Sequence, residues 1–178
     1  AYINMGTVYQ MRGDLVSAKA QYQKALSLAP NDKTALLNLA SLYAAQGATA
    51  QANALYDKLL AKNPNDLDII RYKASTYEAQ KDYKNALMQY KAILAISPND
   101  NDAKNAIADI VNNKFTPADK YNYMLLEANS NPTNYDLQYA YAYEMHKQKK
   151  YDEALKYYLR AIELNPKKQE GYINAAQI

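Results

Sequence analysis

The sequence predicts an all-α array of five 34-residue helix-turn-helix units with part of a sixth, because several kinds of residue recur at one fixed step. Five prolines, Pro30, Pro64, Pro98, Pro132 and Pro166, stand 34 residues apart. Small residues keep the same step at Gly6, Ala40, Ala74, Ala108, Ala142 and Ala176. The tyrosines Tyr22, Tyr56, Tyr90 and Tyr158 repeat it again, interrupted only by Met124. An array of this kind has no central core. Each unit buries its apolar face on its neighbours, so about three units are the minimum for stability and five suffice.

The expected units are residues 1–32, 33–66, 67–100, 101–134 and 135–168, with a partial unit at 169–178, all in a single array. In the second unit Leu36, Leu39, Ala40 and Tyr43 recur at three- and four-residue steps, Gly47 interrupts, and Ala52, Leu55, Tyr56, Leu59 and Leu60 resume the period. The tripeptides Pro30-Asn31-Asp32, Pro64-Asn65-Asp66 and Pro98-Asn99-Asp100 close the first three units. Proline ends one helix, and the aspartate accepts the free amides that begin the next. Where the helices of a unit cross, Gly6, Ala40, Ala74, Ala108, Ala142 and Ala176 are expected to meet Ala18, Ala52, Ala86 and Ala154 of the second helices, since only small side chains allow that approach.

The fourth unit keeps its length but breaks the pattern, with Lys120 in place of the small alanine and Glu127 in a place that is apolar or alanine elsewhere. Burying both would be costly, so its second helix is expected to rotate or slip by about one residue and bury Tyr121, Met124, Leu125 and Ala128 instead. That leaves Tyr123 and Leu126 partly exposed. Thr116-Pro117 supplies the cap and first turn, with Asp119 near the positive helix end. The irregularity reads either as tolerated variation or as a bend or partner surface. At 169–178 a sixth first helix follows, and the chain also starts about two residues into a helix, as expected of a segment from a longer array.

Composition narrows the function. With 49% hydrophobic and 22% charged residues the chain is ordinary for a globular protein. No apolar run approaches the ~20 residues that span a bilayer, so no membrane contact by this segment is expected. Absent cysteines exclude disulfides and thiolate metal sites, and leave the cytoplasm and the periplasm both open. The net charge of +3 is spread over the repeats, and Tyr72, Tyr139 and Tyr143 have acidic neighbours and no basic stripe, so nucleic acid is not an expected partner. The excess of lysine over arginine suggests a bacterial source. His146 is the only histidine, read as a solvent-facing helix residue, and the four glycines are scattered. No nucleophile-base set, phosphate loop or metal constellation can be assembled, so neither an enzyme nor a cofactor is expected. Asp100 and Asp102 read as helix-start residues, and the pair Asp152-Glu153 likewise.

The pattern resembles the tetratricopeptide repeat family. The likeness is carried in the fifth unit by Tyr151, Asp152, Glu153, Ala154, Tyr158, Ala161, Ile162, Leu164, Asn165 and Pro166. In the first helices it is carried by Asn4-Met5-Gly6 with Tyr9, Asn38-Leu39-Ala40 with Tyr43, and Lys73-Ala74 with Tyr77. The resemblance implies a right-handed superhelix whose first helices line a concave groove and whose second helices form the back. It does not extend to the carboxylate clamp by which some members hold chaperone C-termini, because the places for basic residues hold Ile3, Thr34, Leu37, Asp68 and Asp102, and only Arg71 is positive.

Residues one helical turn apart on the first helices then point into the groove. These are Ile3, Thr7, Met11, Leu37, Ser41 and Ala45 in the first two units, Asp68, Arg71, Tyr72, Ser75 and Glu78 in the third, Asp102, Asn105 and Asp109 in the fourth, and Asp136, Tyr139, Tyr143 and His146 in the fifth. The strip begins apolar, becomes acidic around Arg71, and ends in two tyrosines. A matching ligand is an extended or helical peptide, aliphatic at one end, basic further along, with an aromatic or proline for Tyr139 and Tyr143. The expected function is a protein-interaction module in a bacterial assembly, secretion or envelope process. The alternatives are a spacer or scaffold that self-associates weakly through its ends, or a substrate-presenting region of a larger enzyme.

Overall fold

The structure, a computed structural model, describes residues 1–178 and is all helical. The helices are α1 Tyr2–Met11, α2 Leu15–Leu28, α3 Lys33–Ala45, α4 Thr49–Leu60, α5 Leu67–Ala79, α6 Tyr83–Ile96, α7 Asn101–Asp109, α8 Pro117–Ser130, α9 Tyr135–Lys147, α10 Tyr151–Leu164 and α11 Gln169–Ala175. A π turn, Ile110–Lys114, follows α7. The chain forms two compact units, Ala1–Ile110 and Val111–Ile178, so their boundary falls inside that π turn. No helix is long and apolar enough to cross a membrane.

The 34-residue step is visible in the caps. Asp32, Asp66, Asp100 and Asn134 each accept the amide three residues on, opening α3, α5, α7 and α9. Asp14, Asp82 and Thr116 do the same for α2, α6 and α8. Between the two helices of a pair, the chain reverses through one left-handed residue at Gly13, Gly47, Lys81 and Lys149. Glycine takes that conformation freely and lysine does so at a cost.

In the first unit, α1 packs on α2, α3 on α4 and α5 on α6, and each pair stacks on the next. Ala40 and Ala74 are fully buried opposite the equally buried Ala52 and Ala86. At Gly6 a Cβ would lie 2.5 Å from the Tyr22 ring, so this crossing admits no side chain. Two of the expected small contacts do not occur. Ala108 is exposed near the end of α7, just before the π turn, whereas Ala103 and Ile110 are buried like their equivalents Ala35 and Ile69, and Leu42 and Thr76. Ala176 is exposed past the end of α11.

In the second unit α8, α9, α10 and α11 pack in sequence around Ala128, Tyr141, Ala142, Met145, Ala154, Tyr157 and Tyr158. Tyr121, Met124 and Leu125 of α8 line this core, while Leu126 is exposed and Tyr123 half-buried. Lys120 stays out of it, reaching Glu144 at 3.4 Å and Asn112 at 3.3 Å. Gln138, fully buried, secures the end of α8 by donating its amide to the Ala128 and Asn131 carbonyls.

Candidate functional site

In the pairs α1–α2, α3–α4, α5–α6 and α9–α10 the second helix covers one side of the first. On α5 the open side carries Asp68, Tyr72 and Ser75, and on α7 it carries Asp102 and Asn105. Tyr72 lies flat on Tyr56 of α4, ring centroids 6.4 Å apart and 11° from parallel, with 44% of its surface still free. The Ser75 hydroxyl turns back to the Tyr72 carbonyl. Asp109 is half-buried at the end of α7.

Two expected members of this surface are committed elsewhere. Leu37 packs against the core of α3 and α4. Arg71 is tied to Asp100, with one guanidinium nitrogen at 2.8 Å and the other at 3.5 Å. That pair joins α5 to the cap of α7, and the Arg71 guanidinium with the Ala103 amide holds the Asp100 carboxyl below the usual carboxylate range. The cation expected among the acids is therefore neutralised within the fold, which leaves Asp68 and Asp102 to set an acidic face. Lys33 to Asp66 at 2.7 Å is a second tie of this kind, between α3 and the cap of α5.

In the second unit α9 carries a ladder of aromatic rings, half-buried at Tyr135 and Tyr139 and exposed at Tyr143. Tyr135, Tyr139 and Tyr143 recur every four residues and stack with centroids 5.8 and 6.4 Å apart and planes within 10° and 17°. Asn174 of α11 donates to the Tyr139 hydroxyl at 2.6 Å. The Lys168 ammonium sits 4.1 Å from the Tyr135 ring centroid and bonds Asp136 at 2.8 Å, so Asp136 too is paired. Tyr143 remains 49% exposed. His146 is not solvent-facing as expected: half-buried, it turns its ring edge to Tyr151 and Tyr158 of α10, at 5.8 and 6.2 Å.

Sequence reading missed Tyr135, Lys168 and the Tyr158 hydroxyl as parts of this surface. The signal for Lys168 was available, since it lies 34 residues after the cap residue Asn134 and so comes beside the first turn of α9. No three His, Cys, Asp or Glu side chains gather as metal ligands would.

Three family models, each described as a tetratricopeptide repeat, match residues 10–76, 73–100 and 146–168. A comparison with curated protein sequences gives no match. Among solved structures, a tetratricopeptide repeat protein from Parabacteroides merdae superposes with a TM-score of 0.57 at 20% identity, over 99% of this chain and 70% of that one. YrrB, a TPR protein with an unusual peptide-binding site, gives 0.52 at 19% identity, over 99% and 91%. The first TPR of Spaghetti (RPAP3), bound to the HSP90 peptide SRMEEVD, gives 0.52 at 22% identity, over 61% and 86%. At these identities the likeness concerns the fold.

Proposed function

Because this chain belongs to the tetratricopeptide repeat family, we propose that it is a protein-interaction scaffold whose first helices hold a segment of another protein. One observation carries the reading: on two successive first helices of the first compact unit the equivalent positions Asp68 and Asp102 both stay exposed, with Tyr72 and Asn105 beside them, while Ile69, Ile70 and Ala103 are buried. A row of like positions is what a chain-shaped ligand needs. The peptide complex of the Spaghetti repeat and the peptide-binding site of YrrB support it by analogy of fold. Repeats of this family generally act as non-catalytic scaffolds.

In the first unit the face is acidic and calls for lysine or arginine in the ligand; in the second it is aromatic. We place the process in bacterial assembly, secretion or the envelope, on the lysine-rich composition and the array form. The test is selection of binders from a random peptide library, followed by amide-shift mapping on the isotopically labelled chain. Shifts grouped on Asp68, Tyr72, Asp102 and Asn105, or on Tyr139 and Tyr143, support the reading. Shifts confined to α2, α4, α6 and α10, or no binders at all, reject it.

A second reading has its own observation. Tyr2, Met5 and Val8 on α1 are 37%, 45% and 47% exposed, yet their equivalents Leu36, Leu39 and Leu42 on α3 are at 2%, 4% and 0% because a preceding helix pair covers them. In the 178-residue segment this stripe is uncovered and suits weak self-association of the segment itself. Sedimentation velocity should show mass rising with concentration, and Met5→Glu with Val8→Glu should abolish the rise.

A further inference from the structure

The Tyr158 side chain is fully buried, yet its hydroxyl has no hydrogen-bond partner. The equivalent tyrosines show where such a hydroxyl points. Tyr22 donates across to α1, to Gln10 at 2.8 Å and toward Thr7 at 3.4 Å. Tyr90 donates across to α5, to Glu78 at 2.6 Å. On α9, four repeats after Thr7 and Gln10, those places are held by Tyr143 and His146. The Tyr158 hydroxyl thus lies under the ladder of α9, where His146 offers a ring edge at 83° and no acceptor bond. Burial pushes this hydroxyl up to about 12, so it stays a proton donor at neutral pH. The Tyr135 hydroxyl, at the far end of the ladder, is a second buried oxygen without a partner.

We propose that this side of α9 and α11 binds a proline-rich segment in the polyproline II conformation; the proposal rests on the reading above that first-helix faces hold peptides. Ring faces stacked on one helix give flat apolar surfaces and slots that pyrrolidine rings fill. The unmet hydroxyl donors call for carbonyl oxygens. A polyproline helix has no internal hydrogen bonds and no N–H at its prolines, so it supplies acceptors and brings no donors that would need partners. A basic segment matches less well. The Lys168 ammonium already covers the Tyr135 end and pairs with Asp136, and Lys147 stands one turn beyond Tyr143, so a further cation would meet like charge at both ends of the ladder. An aromatic segment would stack but leave the Tyr158 donor unmet.

The test is titration of decaproline into the 178-residue chain, followed by amide shifts and tyrosine fluorescence, with decalysine and a Gly-Ser decamer as comparison probes. Saturable shifts confined to α9 and α11 are expected for decaproline. Tyr143→Ala, a surface change, should weaken it at least tenfold, about the scale of an aromatic anchor. Tyr158→Phe keeps the ring and the fold and should weaken it about threefold to tenfold, as loss of one hydrogen bond does. No saturable shift at millimolar decaproline overturns the proposal, and so does equal affinity of wild type and Tyr143→Ala. Tighter binding of decalysine to the same residues also overturns it. In each of these cases library peptides that map to first helices would leave the interaction reading standing; only their failure rejects that reading.

Discussion

Leucine placed at two equivalent positions, Ala74 and Ala108, should give opposite results. Both are the small residue of a first helix, one repeat apart, and periodicity treats them alike. Ala74 has no exposed surface, and Ala86 of α6, also wholly buried, packs in the same interface of α5 and α6. Leucine adds three carbons where no cavity exists, so α5 and α6 must separate or strain, at a cost of about 1–3 kcal/mol. Ala108 is exposed, and leucine there should change stability by less than about 0.5 kcal/mol. With a urea slope of about 2 kcal/mol/M, the midpoint should fall by roughly 0.5–1.5 M for Ala74→Leu and hardly move for Ala108→Leu. Urea unfolding followed by circular dichroism measures both. A drop for Ala108→Leu as large as that for Ala74→Leu would mean that Ala108 is enclosed as Ala74 is, and its placement on the surface of α7 would fail.

Three further outcomes follow from individual contacts. The carboxyls of Asp100, Asp66 and Asp14 are lowered from the ordinary 3.8, chiefly by Arg71, Lys33 and Ser17 respectively, so they favour folding above that value and lose their contribution as pH falls through their folded values. The urea midpoint should therefore drop below about pH 4, and Asp100→Asn, which keeps an acceptor for the Ala103 amide but loses the charge pairing with Arg71, should flatten that acid limb; an unchanged limb refutes it. Lys81→Gly and Lys149→Gly should each stabilise by up to about 1 kcal/mol, since φ values of 59° and 60° strain any side chain; a loss of stability in both would contradict this. Glu153 accepts from Tyr121 and from the buried Tyr141, so Glu153→Ala should cost about 2–4 kcal/mol by thermal unfolding and Glu153→Gln, which still accepts, clearly less; equal losses would show that the carboxylate serves no hydroxyl.

The fold was legible because its cause is local and periodic. Caps at Asp32, Asp66, Asp100 and Asn134 satisfy the first amides wherever a helix restarts, and alanines at 40, 74 and 142 mark crossings that geometry makes narrow. Departures came where one repeat alone decides the path. Nothing in the residues 110–114 marks a π turn over an α turn, and nothing in the period foretells that Ala108, just before it, is exposed where Ala40 and Ala74 are buried. The surface was less legible than the fold. Which first-helix residues face outward follows from helical spacing, but which of them are free depends on partners 29 and 32 residues away. Arg71 finds Asp100 and Asp136 finds Lys168 only once the helices have stacked. His146 was misread for the same reason, since its neighbours Tyr151 and Tyr158 belong to the next helix.

The two units solve one packing problem with different chemistry, and that difference bears on what their surfaces can hold. In the first unit leucine, isoleucine and alanine fill most of the space between helices, and the second-helix tyrosines Tyr22 and Tyr90 donate inside the fold, to Gln10 and to Glu78. In the second unit tyrosines themselves fill the core, and each brings a hydroxyl that must find a partner. Tyr121 and Tyr141 share Glu153, Tyr157 reaches Asn129, and Tyr139 is held by Asn174. Tyr135 and Tyr158 are left over. A buried donor left unmet costs about 1–3 kcal/mol, a strain that an interior methyl or a phenylalanine would avoid at no loss of packing. Tyr158 keeps the tyrosine of its repeat position, but where Tyr22 and Tyr90 find acceptors on the facing first helix its hydroxyl meets Tyr143 and His146 and finds none, and that difference is what a ligand carbonyl at this face would satisfy.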